Sequence, residues 1–189
     1  MTATEAARRY TPEDLVKLND DGRFELIDGK LIDCFASPLG SIVSGFVMSR
    51  LSNHVQAEEG HIFGPGLNYR CFPFDPDRVR LSSGSFIRAG RISNEEWDAD
   101  FMTVVPDLVV EVVSRDDLAS RLHAKINDYL HVGVKRIWVV DATTQNVIIH
   151  RQDGTGRWLH EDDELTGEDV LPSFRCAVRD LFPKLNVGE

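Results

Sequence analysis

The sequence of 189 residues predicts an α/β (α+β) fold. Three observations carry that prediction. The β-branched run Pro106 to Ser114 is followed by a helical segment and then by the apolar run Lys135 to Asp141, the order of a βαβ unit, expected to be right-handed. Asp28-Gly29 sits between two short apolar runs, a strong hairpin signal. Ile42, Val43, Phe46, Val47, Leu51 and Val55 recur at helical spacing.

Taken in order, Thr11-Pro12-Glu13-Asp14 reads as a helix start: a hydroxyl cap, Pro at the first position, then acids in the first turn. That helix is expected to end near Asn19 to Gly22. Phe24 to Ile27 and Lys30 to Phe35 are the hairpin strands. Ser37-Pro38 opens a second helix running to about Glu58, with Gly60 as its stop. His61 to Phe72 reads as strand broken by Gly64-Pro65-Gly66. Val79 to Ile87 is a strand weakened by Ser82-Ser83-Gly84-Ser85, where the Gly marks a bulge or a close approach. Arg88 to Asp100 is a polar connection. After the Pro106 run, Arg115 to His131 forms a third helix, with Leu118, Leu122, Ile126, Tyr129 and Leu130 inward and Arg121, Lys125 and Asp128 on a flanking stripe. Thr143 to Asn146 turns the next strand into a hairpin partner, Val147 to His150. Weaker strands near Trp158 to His160 and Val170 to Phe174 precede a short helix, Val178 to Phe182. One domain, 1–189, is expected, with a core at about 10–150 and an acidic extension at 151–189.

Pro106-Asp107-Leu108-Val109-Val110-Glu111-Val112-Val113-Ser114 looks like a strand buried on both faces. A carboxylate in its middle must be neutral, hydrogen-bonded, paired or metal-bound, unless its head reaches solvent at a sheet edge. Side chains alternate, so Asp107, Val109, Glu111 and Val113 share one face. Glu25 is a second carboxylate, beside the hairpin turn. Lys125 lies on the helix that leaves the Glu111 strand and packs back near it. Acids meeting at an open sheet end make an oxygen-rich site for Mg²⁺ or Mn²⁺, and a nearby Lys could orient an attacking water for phosphodiester hydrolysis. A structural ion pair between Glu111 and Lys125 has the same residues.

The formal net charge of −10 argues against sequence-independent binding to phosphate backbones. The charge is uneven. Arg70 to Arg91 holds five Arg against Asp75 and Asp77, whereas Asp153 to Asp169 holds seven acids against Arg157. A local basic surface is therefore compatible with the total. Three Cys without a CxxC support neither a disulfide framework nor a zinc site, and a cytoplasmic setting without a membrane span is expected.

From Tyr10 to Asp141 the chain resembles the Uma-two family of restriction endonucleases, within the PD-(D/E)XK nuclease superfamily. The matching pieces are Phe24 to Leu31, Ser37-Pro38, Pro106 to Ser114, Lys125 to Tyr129 with Gly133-Val134, and Ile137 to Asp141. The resemblance implies a restriction-endonuclease-like mixed β-sheet flanked by helices, with an N-terminal β-hairpin. It implies a metal-dependent DNA endonuclease with Mg²⁺ or Mn²⁺, DNA as partner and a homodimer. Catalytic Glu25, Glu111 and Lys125 carry over, Lys125 because Val113 stands where the superfamily lysine usually lies. Ser82-Ser83 stands where the family has Pro-Asp, so Ser83 occupies a metal-ligand position. A neutral hydroxyl is a poorer Mg²⁺ ligand than a carboxylate. Two readings stay open: an endonuclease impaired at Ser83, and a catalytically inactive nuclease-fold protein that binds or assembles.

Overall fold

The computed structural model describes residues 9–18, 24–115 and 118–184. The expected end of the first helix, Asn19 to Gly22, lies outside them. Helix α1 (Pro12–Leu18) starts with a reciprocal cap, in which Asp14 N–H reaches Thr11 Oγ1 and Thr11 N–H reaches Asp14 Oδ2. Strands β1 (Phe24–Ile27) and β2 (Lys30–Asp33) pair antiparallel around Asp28 and Gly29, both at positive φ, 51° and 76°. Two left-handed residues in succession match the twist of the flanking strands.

Helix α2 (Pro38–Ser52) begins at Ser37, whose side chain accepts from Gly40 N–H. It is shorter than its apolar spacing suggests. Asn53 caps it, and His54 and Val55 N–H both return to the Leu51 carbonyl, which ends the helical register. Gly60 therefore does not stop the helix; it opens β3 (Gly60–Phe63) at φ 151°, where a Cβ would meet the Ile87 carbonyl at 2.3 Å. The segment Val79 to Ile87 is two strands, β5 (Arg80–Leu81) and β6 (Gly84–Arg88), broken at Ser82-Ser83. Short β4 (Asn68–Tyr69) pairs with β5. Gly84 is a close approach: a Cβ there would meet the Met48 side chain of α2 at 2.3 Å.

β7 (Leu108–Val113) pairs antiparallel with β6 and parallel with β8 (Arg136–Asp141). Helix α3 (Ala119–His131) joins β7 to β8. Leu118, expected inward, is instead exposed as its N-cap residue. β9 (Asn146–Arg151) and β10 (Gly156–Leu159) complete a six-stranded mixed sheet, β10-β9-β8-β7-β6-β3. β11 (Glu164–Gly167), which the acid-rich sequence there hides, pairs with β12 (Leu171–Ala177), and a 3₁₀ turn at Val178–Leu181 takes the place of a last helix.

Each face of the sheet has its own core. Leu108, Val110, Phe86, Trp138 and Val140 pack with α2 and with Leu165, Leu171, Phe174 and Leu181 of the C-terminal segment. Val109, Ile137 and Val139 pack with Ile126 and Tyr129 of α3 and with Tyr69, Phe72 and Met102. By alternation Glu111 falls on the second side, under α3. The hairpin β1–β2 joins this arrangement through Leu26, which exchanges backbone hydrogen bonds with Val79 at 3.0 and 2.9 Å. That docking brings Glu25 beside β5. No described helix is long and apolar enough to cross a membrane.

Candidate active site

Glu25, Glu111 and Lys125 meet under α3. Lys125 Nζ lies 2.9 Å from Glu25 Oε1 and donates to Glu111 Oε2 at 2.7 Å and to the Leu81 carbonyl at 2.5 Å. An ammonium has three N–H donors, so these partners use all of them. Glu25 and Glu111 are each 5% exposed. Glu25 Oε1 also accepts from Leu81 N–H at 3.2 Å, and its Oε2 accepts from Arg80 Nη1 at 2.7 Å. Glu111 Oε1 is buried without a partner.

The cluster extends beyond these three residues to Arg80, Asp128 and Arg78. Arg80, 4% exposed, turns its Nε and Nη2 to Asp128 Oδ2 at 2.8 and 2.5 Å. Arg78 Nη1 donates to the other oxygen of Asp128 at 2.7 Å, and Arg78 continues to Asp75 and Asp28. Charges thus alternate: Glu111, Lys125, Glu25, Arg80, Asp128, Arg78. Asp128 had a signal in the sequence, because it follows Lys125 by one helical turn. Arg80 and Arg78 had none beyond the basic run.

Electrostatics follow from burial and these pairs. Burial pushes the Glu111 carboxyl up to about 7 against the pull of Lys125, and the nearby Glu25 charge adds to the rise. Burial also opposes the Glu25 charge, but Lys125 and Arg80 outweigh it and hold its carboxyl below the ordinary value. Burial works against the Lys125 cation, yet Glu111 and Glu25 raise it above its usual range. Burial raises Tyr129, whose hydroxyl has no partner, with the two glutamates adding to the rise.

Ser83 does not join this cluster through any hydrogen bond among the described residues. Its Oγ accepts from Val112 N–H at 3.1 Å, and its carbonyl accepts from Ser44 Oγ at 3.2 Å. The acids that could have substituted for it are committed elsewhere. Asp75 bonds Arg78, Asp77 lies 3.8 Å from Arg70, and Asp107 sits at the other end of β7.

The donor set does not fit Mg²⁺ or Mn²⁺. Such ions take about six oxygen ligands, with carboxylates carrying the charge. Three of the four oxygens of Glu25 and Glu111 already face a cation, and only Glu111 Oε1 is open. No group of three His, Cys, Asp or Glu among the described residues is arranged to hold a metal.

The two acids and the lysine thus come from the first hairpin, the central strand of the mixed sheet and the crossover helix. The chain belongs to the Uma-two family, described as "Putative restriction endonuclease", whose model matches residues 11–179. A crystal structure described as a putative nuclease from Anabaena variabilis is similar in fold, with a TM-score of 0.77 and 21% identity, covering 91% of this chain and 97% of that one. No curated protein matches the chain.

Proposed function

We propose that this chain uses the nuclease scaffold to bind or assemble and does not hydrolyse phosphodiesters with Mg²⁺ or Mn²⁺. The observation that carries this reading is the occupation of the two acids by Lys125 and Arg80. The hydroxyl at position 83 adds no charge to offset them and is engaged with the Val112 backbone. DNA is the proposed partner, held by a homodimer in the cytoplasm. The net charge of −10 opposes binding along the whole surface, so contact falls to local basic groups such as Arg88, Arg91 and Lys135, half-exposed cations gathered around the single buried carboxylate of Asp107.

A second reading, an impaired metal-dependent endonuclease, is favoured by the unpartnered, buried Glu111 Oε1. It keeps Glu25, Glu111 and Ser83 as ligands and Lys125 as a catalytic group. Incubation of purified protein with supercoiled plasmid and Mn²⁺ separates the two. The expected result is no nicking and no heat of Mn²⁺ binding by calorimetry. Nicking that disappears in Glu111→Ala establishes the second reading instead.

A further inference from the structure

We infer that the guanidinium of Arg80 takes the charge place of a divalent cation and keeps metal out even when the third acid is restored. The inference rests on the proposal that the native site takes no metal, and it names the group responsible. Lys125 supplies one point charge, shared between Glu25 and Glu111. Arg80 is different. It is 4% exposed and comes from β5, between the hairpin and α3. Its planar fork holds two acids from two other elements, Glu25 of β1 through Nη1 and Asp128 of α3 through Nε and Nη2. A guanidinium cannot give up its proton in a protein, so this charge is permanent. The next residue, Leu81, supplies an N–H to Glu25 and a carbonyl to Lys125. The dipeptide Arg80-Leu81 therefore pins both the acid and the ammonium of the cluster. A divalent ion entering beside Glu25 and Glu111 would face two fixed cations, and one added carboxylate at position 83 would leave both of them there.

Four full-length proteins test this by Mn²⁺ titration in a calorimeter: the native chain, Ser83→Asp, Ser83→Asp with Arg80→Met, and those two with Asp128→Asn. The last variant removes Arg80 together with its other buried partner, so no acid is left uncompensated on α3, and circular dichroism checks its fold. The expected result is no detectable Mn²⁺ binding by the native chain or by Ser83→Asp, and binding once Arg80 is gone at an affinity roughly tenfold or more above that detection limit. If Ser83→Asp alone binds as tightly as the Arg80 variants, or if neither Arg80 variant binds, the assignment to Arg80 is overturned. Mn²⁺ binding by the native chain overturns the parent reading instead, so the two failures are distinguishable.

Discussion

Two buried carboxylates stand on the same face, one just before β7 and one inside it, and they are treated differently. Asp107, just before β7, is 2% exposed and fully satisfied: it accepts from Arg88 N–H at 3.0 Å, Arg91 Nη1 at 2.5 Å and Lys135 Nζ at 3.0 Å. Burial opposes its charge, but these donors hold it below the ordinary value. Glu111 has one cation, one open oxygen and a carboxyl raised to about 7. Burial alone thus does not separate the two acids. Unspent hydrogen-bonding capacity does, and of the two only Glu111 has it.

The comparison breaks most forcefully at Lys125. Lys125→Met leaves Glu25, Glu111 and the Leu81 carbonyl buried without their shared donor. Removing one partner from a buried pair costs about 3–5 kcal/mol. Urea denaturation should show a loss of that order, and a loss under about 1 kcal/mol would mean that the cluster is hydrated and open. Asp107→Asn should cost less, because Arg88, Arg91 and Lys135 are 42%, 39% and 39% exposed and can turn to water.

Acid and base separate the two carboxylates by sign. Glu111 is raised in the folded state from an ordinary 4.5 to about 7, so folding takes up a proton there and this group's contribution falls as pH rises through that window. Asp107 is lowered, so its contribution is present above its ordinary value and is lost as pH falls below it. Glu111→Gln should therefore flatten the decline in stability between roughly pH 4.5 and 7, whose full slope for one proton is about 1.4 kcal/mol per pH unit. Asp107→Asn should leave that decline intact and flatten only the acid limb. Chemical denaturation at a series of pH values reads both slopes; equal profiles for the two variants would erase the distinction.

What the sequence disclosed follows the same physics. Glu25, Glu111 and Lys125 were legible because a carboxylate in a β-branched run is conspicuous and because Asp28-Gly29 fixes the hairpin. Arg80 was not. It sits in a segment whose serines look like a weak strand, and its partners Glu25 and Asp128 are 55 and 48 residues away. Periodicity reports which way a side chain points within its own element; it is silent on which distant charge it meets. The same limit explains the overlong α2: the apolar spacing continues to Val55, but the cap at Asn53 depends on backbone bonds that spacing does not encode.

The smallest expected effect sharpens the role of position 83. Ser83→Ala removes the acceptor of Val112 N–H, a bond in the half-buried gap between β5 and β6. A lost hydrogen bond of this kind costs about 1 kcal/mol. If Ser83 only serves the backbone, thermal unfolding should show the same small decrease with and without Mn²⁺, because no ion is lost with the hydroxyl. A decrease that grows in Mn²⁺ would make Ser83 a ligand after all, and would move the open oxygen of Glu111 from a gap in an ion-pair cluster to one corner of a coordination shell.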